Sequence, residues 1–278
     1  MSTISAHDVF LVPLHFPTIQ AAIDAIVRPS TIMLSPGVYR EDLRLVGTPG
    51  VVISTTRFGR RGVTLVGDAA ASVLQIENAS VYLSGIEIRS NGRARAISAV
   101  DSSIALQECV LAGNRADDRR GQASGAGMLC TRSSVRVQKS MLAGNHAEGA
   151  SGSASGGGLH LVECKVEIAG SSIQANAVYG SAEAKGGGIY CERSEVRLWR
   201  SRVTENALYG TSCEGAGLFL QDCSAQIGGS VVTGNGIAEG RGGGIFIGGE
   251  PGRVVVHPNT VLRQNHPDDI ATGQAPAG

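Results

Sequence analysis

The chain has 278 residues, 24 basic and 24 acidic side chains, 39 glycines and only 4% aromatic residues. That length suits a single domain, and a formal charge of zero offers neither an electrostatic footprint for nucleic acid nor a polybasic patch for a membrane surface. No run approaches the roughly 18 apolar residues that span a bilayer, and the N-terminus lacks the basic-then-apolar pattern of a secretion signal. Membrane insertion and nucleic-acid partners are therefore not expected. The location expected is cytoplasmic, although a secreted protein trimmed of its leader would read the same.

The first predicted element is a helix over residues 16–27. Thr18 is placed to cap it, and Ile19, Ala22, Ile23 and Ile26 share one face. An amphipathic helix ahead of a strand-rich chain suits a cover over an otherwise open end. Downstream the chain becomes periodic. Asn91 and Asn114 are 23 residues apart, and then Asn114, Asn145, Asn176, Asn206, Asn235 and Asn265 follow at intervals of 31, 31, 30, 29 and 30. Gly-x-Gly triplets end at Gly127, Gly158, Gly188, Gly217 and Gly244 in the same rhythm. A fixed period of this size marks a solenoid whose units bury their apolar faces against their neighbours.

Each unit carries three short strands. After the Gly-x-Gly, alternation sends Met128, Leu159, Ile189, Leu218 and Ile245 inward. The pairs Val135/Val137, Val166/Ile168, Val196/Leu198 and Ala225/Ile227 repeat that pattern in a second strand. Leu142, Ile173, Val203 and Val232 repeat it in a third, behind a serine column. Such strands lack hairpin turns and can pair only in parallel with the same strand of the next unit, about 4.8 Å away. The predicted fold is all-β: a single-stranded right-handed parallel β-helix, a three-sheet solenoid of about nine coils. Its hand rests on the general preference for right-handed parallel crossovers. The asparagines should stack at one bend. Residues 1–270 form one domain, 114–265 are looped repeats, and 271–278 are expected to be a flexible tail. The 23-residue spacing is a bare coil, so the longer repeats add a loop of roughly eight to twelve residues between the Asn and the Gly-x-Gly, all from one bend.

The stretches Thr18-Ile-Gln-Ala-Ala-Ile-Asp and Thr31-Ile-Met-Leu-Ser-Pro-Gly-Val-Tyr-Arg-Glu41 resemble the opening of pectin-lyase-like right-handed β-helix proteins, a group that includes pectate lyases, pectin methylesterases and polygalacturonases. The Gly-Gly-Gly-Ile…Ser…Asn repeats resemble those of chlamydial polymorphic outer membrane proteins. Together the resemblances span most of residues 16–270. They imply the fold, and they bear less on function, because the shared residues are cap and coil residues and one fold hosts many activities.

Cys109, Cys130, Cys164, Cys191 and Cys223 fall at inward or column positions, where a thiol acts as a small apolar filler, so free thiols are expected. Cys213 lies in a loop and is expected to be exposed. The most variable outward column is Leu129, His160, Tyr190, Phe219 and Phe246. Tyr179 and Tyr209 sit in matching Ala-x-Tyr-Gly loop motifs. An aromatic column beside a row of loops suggests a groove along the axis, since aromatic faces suit sugar rings and other flat ligands, unless the loops fold back and bury it. The ligand-contacting candidates are Tyr179, Tyr209, Phe219, Phe246, Glu183 and Arg241. The catalytic candidates are His160, Tyr190 and Lys185: a lyase acting on uronic acids needs a cation for the carboxylate and a base for the α-proton.

Hydrolysis by clustered Asp carboxylates is disfavoured, because no Asp occurs between Asp118 and Asp222. No Cys/His spacing fits zinc, no carboxylate group fits calcium, and the glycine clusters lack the Lys-Ser/Thr of a phosphate loop, so no metal or cofactor is expected. Asp268-Asp269 reads as a salt-bridging or capping pair. Three functions stay open: a protein that binds a polysaccharide or other elongated ligand, with or without lyase activity; a non-catalytic scaffold or adhesion-type repeat protein; and a cytoplasmic enzyme acting on a small apolar metabolite. The oligomeric state is open too.

Overall fold

The computed structural model describes residues 8–56, 62–68, 71–118, 122–150, 152–250 and 253–273. Within them the chain coils into a parallel β-solenoid. Three main sheets of ten, nine and nine strands run along its length. The first sheet begins at Asp8–Val12 and ends at Val254–Val256; the second runs from Gly37–Arg40 to Val261–Arg263; the third from Leu43–Val46 to Ile270–Thr272. Equivalent residues of successive repeats pair in register, as in Leu159 with Ile189 and Val166 with Val196. The expected inward columns are the core: Leu142, Leu159, Ile168, Ile173, Ile189 and Leu198 are completely buried.

The capping helix is shorter than residues 16–27. It spans Ile19–Asp24, and the Thr18 side chain accepts a hydrogen bond from the Ala21 N–H. Glu41 takes over the other free N–H groups of the first turn, accepting from Ile19 and Gln20 at 2.9 and 3.0 Å. Ile19, Ala22 and Ile23 are buried against the first coil.

The predicted asparagine stack is present. Each Asn Oδ1 accepts from both the backbone N–H and the Nδ2 of the Asn one coil earlier, from the Asn114–Asn145 pair through to Asn235–Asn265, at 2.9–3.1 Å. Asn91 is exposed and stands outside the ladder, where the Ser90 N–H donates to Asn114 Oδ1 instead. At the far end Asp269 replaces the missing next Asn, accepting from Asn265 N–H and Nδ2, while Asp268 Oδ1 accepts from the Gly242 and Gly243 N–H groups. Of the two readings of this acidic pair, the structure shows capping. Serine hydroxyls form a second ladder: Ser171 Oγ accepts from Ser140 N–H, Ser201 from Ser171 and Ser230 from Ser201.

The loops are not irregular. They add two further parallel sheets, one of five strands beginning at Arg115–Asp118 and one of four beginning at Ala123–Ser124. Beneath them lies a separate small core rich in alanine, with Val178, Leu208 and Ile237 at its centre. The expected tail is strand through Thr272, and residues 274–278 lie outside the described residues.

Cys213 belongs to that small core and is only 2% exposed, which corrects the expectation of a surface thiol. A loop position looked solvent-facing in sequence; alternation within the loop strand Ser212–Glu214 turns it inward. All six cysteines are free and buried, and burial raises each thiol above its ordinary range, Cys109 and Cys223 to about 11. The folded protein is therefore expected to show no fast reaction with a thiol reagent near pH 8, and the denatured chain to react at every cysteine. Rapid labelling of one native thiol, mapped to Cys213, would contradict this packing.

Candidate functional site

The candidate site lies on the loop flank of the third sheet. Strands Leu159–Val162, Ile189–Glu192, Leu218–Gln221 and Ile245–Gly248 bring His160, Tyr190, Phe219 and Phe246 into one column, because each pairs with its equivalent across a coil. The rings stack on one another with centroids 4.4, 5.0 and 5.3 Å apart and planes within 10°. Their faces are therefore used up inside the column. Phe219 and Phe246 are also 3% exposed, with the Lys185 ammonium 5.6 Å from the first ring centre and the Arg241 guanidinium 5.2 Å from the second. This half of the column is packing, covered by the loop sheet.

Tyr179 and Tyr209 are elsewhere. They stack 4.7 Å apart on the five-stranded loop sheet, 37% and 50% exposed, with His146 edge-on to Tyr179 at 6.0 Å. The pocket that His160 and Tyr190 line does not include them.

The structure does assemble His160, Tyr190, Lys185 and Glu183. With Gln122, Ser124, Ser153, Ala154, Ser155 and Glu192 they line a pocket of about 260 Å³, close to the lower limit of small-molecule sites. Ser155 Oγ lies 3.0 Å from His160 Nδ1, the Tyr190 hydroxyl donates to Glu192 Oε2 at 2.9 Å, and Lys185 Nζ donates to Glu183 Oε2 at 3.1 Å while Glu214 stands 4.0 Å away. Arg241 also pairs with Glu214, at 2.7 Å, beyond the pocket. Ser155, Glu192, Gln122 and Ser124 escaped the sequence reading. Only their place in the repeat could have pointed to them: Gln122, Ser124 and Ser155 lie in the loop ahead of the Gly-x-Gly, and Glu192 ends the main-sheet strand that follows it.

The electrostatics assign protonation states. Enclosure pushes the His160 pKa down to about 4, helped by the charge of Arg95 and opposed by Ser155, so the imidazole is neutral at pH 7. Burial and the Glu192 carboxylate push the Tyr190 phenol up, so it keeps its proton. At neutral pH His160 therefore has a ring nitrogen free of its proton and Tyr190 keeps its phenolic proton, while the same shifts make the first a weak base and the second a weak acid. Lys185 is already paired with the carboxylates of Glu183 and Glu214. Among the described residues no group of three or more His, Cys, Asp or Glu side chains could hold a metal ion, and no helix is long and apolar enough to cross a membrane.

His160 also gives stability a pH dependence. Its folded pKa lies below the ordinary value of 6.5, so the unfolded chain takes up the proton first as pH falls. Wild type is expected to lose up to about 3 kcal/mol relative to His160→Gln between pH 6.5 and 4. Denaturant unfolding of both proteins across this range measures it; parallel curves would mean that the ring is solvated.

The fold and this flank define a solenoid carrying a loop-walled pocket. The chain belongs to the right-handed β-helix family, whose profile, described as "Right handed beta helix region", matches residues 71–261. No curated protein sequence matches. Among solved structures the chain is similar to a mannuronic acid-specific polysaccharide family 6 lyase from human gut microbiota, at 10% identity and a TM-score of 0.29, covering 91% of each chain. It is also similar to the A-module of the Azotobacter vinelandii mannuronan C-5 epimerase AlgE6, at 12% identity and a TM-score of 0.20, covering 92% of this chain and 94% of that one. These superpositions are loose, and no role passes from those enzymes to residues of this chain.

Proposed function

We propose that this is a carbohydrate-binding right-handed β-helix protein whose loop-flank pocket holds a single hydroxyl-rich sugar ring. The observation that carries this reading is the pocket's lining: hydroxyl, amide, imidazole, phenol and carboxylate groups converge on a volume of about 260 Å³. Such groups exchange hydrogen bonds with sugar hydroxyls, and they make a poor home for an apolar metabolite. Glu183 and Glu192 accompany the one cation, Lys185, so a neutral sugar suits the pocket better than a uronate.

A neutral His160 stacked at 4.4 Å on a protonated Tyr190 supports a second reading, in which the pair moves a proton on and off the bound sugar. Calorimetry against neutral and acidic oligosaccharides tests the first reading. A neutral ligand should bind, lose affinity at least about tenfold in Tyr190→Ala through its lost contacts, and bind Tyr209→Ala unchanged. Binding lost in Tyr209→Ala instead would move the site to the exposed tyrosine stack, and no glycan binding at all would favour the scaffold. The second reading expects His160→Ala or Tyr190→Phe to abolish turnover with affinity largely kept, because proton transfer acts on the barrier.

A further inference from the structure

A different corner of the coil, the turn from the first main sheet to the second, carries charge that the rest of the molecule leaves unbalanced. In successive coils this turn residue is Gly85, Glu108, Lys139, Gly170, Arg200 and Gly229, each with a φ between 45° and 71°. Glycine adopts that backbone freely, whereas a residue with a Cβ is strained there. The corresponding turn from the third sheet to the first also holds charged residues at positive φ, but they alternate in sign and pair: Arg132 with Asp101 at 2.7 Å, Arg193 with Glu163 at 3.2 Å. On the outer face of the first sheet Arg136 meets Glu167 and Arg197 meets Glu195. Lys139, Arg200 and Arg202 are exposed and form no ion pair among the described residues. With one carboxylate, Glu108, they line a groove of about 330 Å³.

The groove is continuous, through Lys139, Gly170 and Arg200, with a recess of about 540 Å³. The recess exists because the coil bearing Ala169 and Gly170 has almost no side chain there, while its neighbours bear Gln138-Lys139 on one side and Trp199-Arg200 on the other. In-register coils put the flanking columns about 9.6 Å apart, room for a flat ring. Trp199 walls this slot, backed by Gly228, its partner on the next strand, and by His257 at 5.0 Å.

We propose that this corner binds an acidic oligosaccharide, with a sugar ring lying against Trp199 and its carboxylate or sulfate groups met by Lys139, Arg200 and Arg202. Aromatic walls take the apolar face of a sugar, and unpaired cations two coils apart meet charges that recur along a chain. A nucleic acid fits less well: the chain's pI is near 7.0, and the groove has one aromatic side chain where a single strand needs a run of them. The site is separate from the loop-flank pocket in place and in charge, and goes beyond the function proposed for that pocket.

Trp199 is the chain's one tryptophan, so its fluorescence reports this groove directly. Titration with a galacturonate hexamer at low salt should change that fluorescence saturably, and added salt should weaken binding. The same hexamer with its carboxylates reduced to alcohols should not bind detectably. The double substitution Lys139→Gln, Arg200→Gln should raise Kd by about tenfold or more, and Trp199→Phe, followed by calorimetry, should raise it several-fold. His160→Ala should leave it unchanged. The proposal is overturned if the hexamer fails to bind, if the double variant binds it as wild type does, if His160→Ala abolishes binding, or if oligo(dT) binds the groove more tightly than the hexamer. Lys139 and Arg200 are exposed and Trp199 is half-buried; matching circular dichroism and melting curves will separate lost binding from lost fold.

Discussion

Gly158→Ala is expected to destabilise the protein by about 3 kcal/mol or to prevent folding, an effect out of proportion to one methyl group. A Cβ at Gly158 would sit 2.5 Å from the Gly188 carbonyl oxygen of the next coil, 3.1 Å from Ile173 Cγ2 and 3.2 Å from Asn176 Nδ2. The first of these is backbone, hydrogen-bonded by the Leu159 N–H at 2.9 Å, so relief requires prising two coils apart. Gly144→Ala is the control. Its φ is +61°, but a Cβ there meets nothing within 4 Å, so it carries only the left-handed strain of about 1–2 kcal/mol. Chemical denaturation of both variants checks the difference, and equal losses would mean that the coils yield at the Gly-x-Gly bend.

Asn176→Leu is expected to cost about 2–4 kcal/mol. Asn176 is completely buried; its Oδ1 accepts from the Asn145 N–H and Nδ2, and its own Nδ2 donates to the Leu142 carbonyl and to Asn206 Oδ1. Leucine fills the volume but strands two buried donors of Asn145, each unmet donor costing about 1–3 kcal/mol, with partial relief by local rearrangement. Arg197→Ala, on the outer face and among the described residues paired only with Glu195, should change stability by less than about 0.5 kcal/mol. A thermal shift for Asn176→Leu no larger than that for Arg197→Ala would show that the amide ladder adds nothing beyond packing.

The ladder and the candidate site differ in how far they could be read in advance. The coil was legible because the same residue type recurs at the same step: Asn at the bend, Gly before the strand, an aliphatic side chain on the inward positions. Each copy confirms the others, and in-register pairing adds nothing that the period did not already state. His160 and Tyr190 were legible for the same reason, as members of one outward column. The stacking that follows from in-register pairing then reversed the inference drawn for Phe219 and Phe246. Rings placed one coil apart cover each other's faces and offer a ligand only edges, and cations from the loops cover what remains.

The repeat, the strand faces, the Asn ladder and the helix that covers one end could be read from the chain alone, because all of these depend on local alternation and on identity between neighbouring coils; that Asp268-Asp269 caps the other end rather than forming salt bridges came from the structure. What the loops do could not be read from the chain in that way. Each loop contributes strands of two to four residues, too short to carry a reliable period, and their course is set by pairing with the loops above and below. That pairing turned Cys213 inward, carried Tyr179 and Tyr209 onto an outer face, and brought Ser155, Glu183 and Lys185 to His160 and Tyr190. The charge at the opposite corner needed the structure for the same reason. Lys139, Arg200 and Arg202 are ordinary surface cations in the sequence, and only the three-dimensional count of their neighbours separates them from cations that already have a partner.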